Sequence, residues 1–161
     1  MDIFVEPVLP RPEIVVCGSS PVAVAIADLG RRLGFLTTAC APAAEQPAFA
    51  DVERRIEGYA LPVAHEGMRF IVVSTQSRGD EAALQAALAV DADYVAFVGS
   101  RRKAESLKSK LIEKGADPAR IARLRSPAGL DIGAITPEEI ALAVLAEIVA
   151  ERRKGQRANP A

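Results

Sequence analysis

Most of the residues in this chain that could do chemistry fall in short clusters. Gly18-Ser19-Ser20 closes the apolar run "EIVVC" and opens an alanine-rich stretch. A glycine turn leading into a helix start can aim backbone N–H groups at a phosphate. Gly99-Ser100-Arg101-Arg102 repeats that grammar after "DYVAFV", adding a serine suited to cap a helix and guanidinium groups suited to an anion. Gly129 and Asp131 lie in "AGLDIG", where a carboxylate near two glycines either fixes its own loop or touches a ligand. Ser74 and Thr75 end a further apolar run and contribute hydroxyls.

Measured against the dinucleotide fingerprint, the first cluster is incomplete. Gly18 and Ala23 fill the turn and helix-packing positions, but Ser20 stands where a second glycine would let a pyrophosphate approach. Cys40 ends the next apolar run, where a site for NAD would place an acid. A weakened NAD(P) or FAD site, an altered edge that tolerates phosphate, and a plain strand-to-helix turn all remain open. Cys17 and Cys40 fall at the ends of runs expected to be neighbours. They read either as two small buried residues or as a thiol pair able to hold sulfur or a soft metal. Two thiols alone fall short of a four-ligand zinc set.

Composition removes several classes. The chain has 161 residues, a formal net charge of -1 and 4% aromatics without Trp, so neither electrostatics nor stacking points to nucleic acid. No apolar run approaches the ~18 residues of a membrane span, and the acidic, proline-bearing start is unlike a secretory signal. A cytoplasmic location follows as an expectation. With His65 as the single histidine, a histidine-based metal site or Ser-His-Asp triad has little material.

The elements that must position these clusters follow from periodicity. Residues 1–12, with prolines at 7, 10 and 12, read as an extended leader, and 155–161 as a polar tail. Strands are expected at 13–18, 35–40, 69–75 and 93–100, with a fifth, more polar one near 121–125. Helical stripes run over 21–33, 81–90 and 101–115, and a short helix is expected within "ADVERRIEGY". Thr136, Pro137 and Glu139 form a capping box that starts a last helix. Alternating strands and helices with short links imply one α/β domain over 13–154. It should be a doubly wound, Rossmann-like three-layer sandwich with a mostly parallel sheet of about five strands in the order 3-2-1-4-5. Ligands of such a sheet bind beyond the carboxyl ends of its strands, where all the clusters above fall.

Three segments carry a family resemblance: Gly99-Ser100-Arg101-Arg102-Lys103, Gly129-Leu130-Asp131-Ile132-Gly133, and Thr136-Pro137-Glu138-Glu139-Ile140-Ala141 with Ala146-Glu147-Ile148. In order and spacing they resemble the C-terminal Rossmann-like domain of xanthine dehydrogenase accessory proteins of the XdhC/CoxI type. The resemblance implies a role in maturing a molybdenum hydroxylase, of the xanthine or carbon monoxide dehydrogenase kind, by binding or presenting the molybdenum cofactor, a pterin dinucleotide. It implies hydroxylase subunits as partners, or a separate protein supplying the N-terminal XdhC/CoxI domain, with a homodimer also allowed. It implies no independent catalysis. Family members commonly read closer to Gly-x-Gly-His in the first loop, with an acid closing the second strand. Here Ser20-Pro21 and Cys40 stand instead.

Overall fold

β1 (Glu13–Cys17) is buried along its whole length, which is why its sequence after Glu13 is a continuous apolar run rather than an alternating one. In this computed structural model, which describes residues 1–154 and Gln156, it pairs with β2 (Leu36–Ala41) on one side and β4 (Arg69–Val73) on the other. Beyond these lie β3 (Arg54–Glu57) against β2 and β5 (Tyr94–Phe97) against β4. All pairings are parallel and the order is β3-β2-β1-β4-β5. The expected doubly wound fold and its 3-2-1-4-5 order are therefore present.

The helices divide between two faces. α1 (Pro21–Arg32) and α5 (Pro137–Arg153) cover one, over a core of Ile14, Val16, Ile26, Phe35, Phe70, Val144 and Ile148. α2 (Asp80–Ala89), α3 (Arg101–Glu113) and α4 (Pro118–Ala122) cover the other, over Val15, Ile71, Leu84, Phe97, Leu107 and Leu111. Each such side chain contributes about 1.5–3 kcal/mol on burial. Phe35 and Phe70 meet edge to face at 5.9 Å, a preferred aromatic geometry.

Two expectations are corrected. The segment expected as a short helix within 50–59 holds β3. Its four residues are mostly charged, and only Ile56 turns towards the core, so the alternation was too short to read. A charged edge strand of this kind also resists pairing with other chains. The strand expected near 121–125 is instead α4, started by Asp117, whose carboxylate accepts from the Ala119 N–H at 2.9 Å, with Pro118 in the first turn. Only Arg125 keeps strand character, as an isolated parallel bridge to Ala96. The third place in the sheet thus belongs to 54–57, and the runs at 69–75 and 93–100 become the fourth and fifth strands.

Residues 1–12 form neither helix nor strand and are exposed up to Arg11. Arg11 ties this leader to the domain through Glu53 and the Phe35 carbonyl, 3.1 Å away. The polar tail, apart from Gln156, lies outside the described residues. At the amino edge of the sheet, Glu13 is buried with Arg69 at 3.2 Å and accepts from the Thr38 hydroxyl at 2.6 Å.

Candidate functional site

The carboxyl ends of β1, β2, β4 and β5 bring most of the chemically able residues to one edge. Gly18 continues the ladder there, its N–H donating to the Cys40 carbonyl at 2.8 Å, while the Ser74 N–H donates to the Cys17 carbonyl at 2.8 Å. Its φ is +106°, and a Cβ would lie 2.3 Å from the Ser74 carbonyl oxygen. Glycine is required at this position because the β4 backbone passes over it.

Ser20 and Pro21 decide what the first loop can offer. A helix N-terminus accepts an anion through the free N–H groups of its first turn. Pro21 has none. The Ala23 N–H donates to Ser20 Oγ at 3.0 Å, and the Val24 N–H to the Ser20 carbonyl at 3.0 Å. Ser20 is itself buried, with its hydroxyl 2.6 Å from Ser74 Oγ, also buried. Ser19 is half-exposed and donates to Glu45 Oε2 at 2.6 Å. Glu45 comes from the 3₁₀ turn Ala43–Ala48 that follows β2. A pyrophosphate laid across this loop would meet a carboxylate and few free donors, so the residues present do not fit the usual dinucleotide arrangement.

Cys17 and Cys40 are register partners on β1 and β2, and neither has any exposure. The Cys17 thiol is held well above its ordinary pKa by its hydrogen bond with Cys40, and next by burial. Both pack in the α2–α3 core layer, which Tyr59 adjoins. The Tyr59 phenol is raised by partial burial first, then by the nearby Glu45 carboxylate and the Cys17 thiol. Tyr59 also fills the space beside Gly79, where a Cβ would lie 3.0 Å from the phenol oxygen.

The loop after β4 is tightly wound, with Gln76 and Ser77 both at positive φ. Thr75 donates to Asp80, a buried carboxylate that also takes Lys103 Nζ at 2.5 Å. The same ammonium lies 2.7 Å from Ser77 Oγ. This joins the starts of α2 and α3 and largely neutralises Lys103. A shallow cavity of about 570 Å³ opens beside it, lined among others by Ser77, Asp80, Lys103 and Lys110.

α3 presents the more open helix start. Ser100 caps it, its hydroxyl accepting from the Lys103 N–H at 3.2 Å. Arg101 and Arg102 are exposed in the first turn, with no acid among the first-turn residues. Gly99 packs so closely that a Cβ would lie 2.4 Å from the Phe97 ring. Gly129, at φ +91°, would place a Cβ 2.9 Å from the α5 backbone, which identifies it as a packing glycine. Its loop is tied to the same edge by the Ala128 N–H, donating to the Phe97 carbonyl at 3.1 Å. Asp131 is exposed there. The edge therefore presents Ser19, Gly99, Ser100, Arg101, Arg102 and Asp131, while Gly18, Ser20, Cys40, Ser74 and Thr75 are buried in packing and Gly129 packs against α5.

Sequence reasoning missed Glu45 as the acid of the first loop, Tyr59 beside the thiols, and the Asp80–Lys103 pair. Glu45 sits on an irregular turn beyond the strand end, and no local pattern signals that it folds back. Among the described residues no three His, Cys, Asp or Glu side chains group to hold a metal, and no helix is long and apolar enough to cross a membrane.

A family model described as the XdhC Rossmann domain matches residues 14–148. The chain belongs to this family. Among similar proteins is the uncharacterized protein YqeB of Escherichia coli (strain K12), 31% identical, with 92% of this chain and 29% of that protein covered. A protein of Bacillus subtilis (strain 168) named as a probable subunit of xanthine dehydrogenase is 26% identical, with 95% of this chain and 47% of that protein covered. This XdhC Rossmann domain thus spans under half the length of these two relatives. The crystal structure of a xanthine dehydrogenase from Bacillus halodurans superposes with a TM-score of 0.73 at 22% identity, covering 94% of this chain and 46% of that one, which supports the shared fold.

Proposed function

We propose that this XdhC Rossmann domain acts in the maturation of a molybdenum hydroxylase, as a module that receives and presents an anionic, nucleotide-bearing ligand at its carboxyl edge. Family membership and the similarity to a protein named as a probable part of xanthine dehydrogenase support the maturation role. The observation that carries the ligand reading is the contrast between two helix starts on one edge. Both are capped by a serine, but α1 has Pro21, without an N–H, at its first position and Glu45 beside Ser19, whereas α3 has the exposed Arg101 and Arg102 there and no acid in its first turn.

The pterin dinucleotide form of the molybdenum cofactor carries phosphates, and a phosphate against Ser100, Arg101 and Arg102 suits these donors. Bound there, the cofactor would supply the redox chemistry to the hydroxylase that receives it. This chain's residues would hold and orient its phosphate end. Hydroxylase subunits, or a protein bearing the N-terminal XdhC/CoxI domain, are the partners this reading requires. An NAD(P) or FAD oxidoreductase is a weaker reading, because a pyrophosphate at the first loop would face Glu45. The same closed loop favours a second reading, a partner-binding domain that takes no ligand. Thermal shift with the pterin dinucleotide, NAD and FAD separates the three. We expect stabilisation by the first alone. A shift with NAD or FAD alone would support the oxidoreductase, and no shift with any would support the partner-binding domain.

A further inference from the structure

α5 buries one face against α1 and the sheet through Ala141, Val144, Leu145 and Ile148. Its opposite face should be polar, as on any helix at a protein surface. It is not. Leu142 is 53% exposed and Val149 36%, Ala150 is exposed and Ala146 half-buried. The helix carries two charges between Glu139 and Arg152, and both are engaged away from this stripe. Glu147 accepts from the Tyr94 hydroxyl at 2.6 Å, and Glu151 pairs with Arg125 and Lys154. The outer stripe from Leu142 to Ala150 is therefore apolar over about two turns.

We propose that this stripe is a homodimer interface in which α5 packs antiparallel on α5 of a second copy. Self-complementarity is what selects a second copy. A two-fold axis crossing the helix between Leu145 and Ala146 sets Leu142 opposite Val149 of the second copy, and Glu138 opposite its Arg153. The helix is acidic in its first turn, at Glu138 and Glu139, and basic in its last, at Arg152 and Arg153. Antiparallel packing matches these opposite charges, whereas parallel packing would set like against like. Glu139 is committed to its capping box, and Arg152 lies over the Phe35 ring at 5.2 Å. Glu138 and Arg153 are both exposed, and Glu138 makes no salt bridge among the described residues. Ala146 near the axis lets the helices approach to roughly 8 Å. One helix pair is small beside a standard interface, so the dimer should dissociate in the micromolar range.

Sedimentation velocity of the full chain over a wide concentration range tests this. We expect a reversible monomer–dimer equilibrium. Leu142→Glu with Val149→Glu should remove the dimer while leaving the far-ultraviolet circular dichroism spectrum that of a folded chain, since both side chains are partly exposed in the monomer. Glu138→Arg or Arg153→Glu alone should weaken the dimer about five- to tenfold, and the two reversals together should restore it to within about twofold. A chain that stays monomeric throughout, a dimer that survives the Leu142 and Val149 changes, or a failure of the double reversal to rescue would each overturn the proposal.

Discussion

Ser20 Oγ lies 2.6 Å from Ser74 Oγ while also accepting the Ala23 N–H at 3.0 Å. One hydroxyl thus caps α1 and fastens the first loop to the end of β4. The residue that breaks the dinucleotide fingerprint is a structural joint, and it occupies the Ala23 N–H. Ser20→Ala should remove the cap and strand the buried Ser74 hydroxyl, costing about 1–2 kcal/mol. Urea denaturation measures the loss; an unchanged midpoint would show that the joint carries no stability.

Gly18→Ala should be far more damaging than Ser20→Ala. The added Cβ meets backbone 2.3 Å away at φ +106°, and neither the carbonyl of Ser74 nor the strand behind it can move cheaply. A loss above about 3 kcal/mol, or no soluble folded protein, is expected. A well-folded Gly18→Ala chain of near-native stability would contradict the close passage of the two strand ends.

At the other edge, Arg69→Ala should leave the buried Glu13 carboxylate with only the more exposed Arg54, 3.9 Å away, at a cost of about 3 kcal/mol. Replacing both, as Glu13→Gln with Arg69→Met, should recover much of that loss. Thermal and urea melts of the single and double variants give the coupling; additive losses would mean the pair does not act as one.

The thiols should be inert in the folded chain. Cys17 and Cys40 are buried, and Cys17 is held protonated by its bond to Cys40 and by burial. Iodoacetamide should label the urea-unfolded protein readily and the native protein barely at all. Raised thiol and phenol pKa values also set a pH trend. Cys17 starts from an ordinary value of 9.0, and Tyr94, raised by burial and then by Glu147, from 10.0. Above those values the unfolded chain releases protons that the folded chain keeps, so stability should fall as pH rises past about 9. Melting temperatures across that range should decline, less steeply for Cys17→Ala; rapid native labelling would contradict the buried pair.

Much of this architecture was legible because it rests on local signals. The apolar run before Gly18 and the Thr136–Glu139 capping box identified their elements, and the Gly99–Lys103 segment identified both a helix start and a family. What escaped depended on tertiary context. β3 has a single core-facing side chain, Ile56, and exists because β2 offers it an edge. α4 was hidden because Ala122-Arg123-Leu124-Arg125 alternates apolar and polar as a strand does, although Asp117-Pro118 and the i, i+3 spacing of Ile121 and Leu124 carried the helix signal. In the candidate site, Ser20 stood out as a departure, but its role needed Ser74, far along the chain. Glu45 and Tyr59 reach the edge through irregular segments with no period to read.

Above all, an anion should bind at the start of α3 and not at the start of α1. Calorimetric titration of the wild-type chain, the Arg101→Ala/Arg102→Ala variant and the Ser19→Ala variant with the pterin dinucleotide tests this most directly. We expect binding that weakens about tenfold or more in the arginine variant, stays within about twofold in Ser19→Ala, and falls with added salt. Equal affinity of the arginine variant and the wild type, or a loss confined to Ser19→Ala, would contradict it.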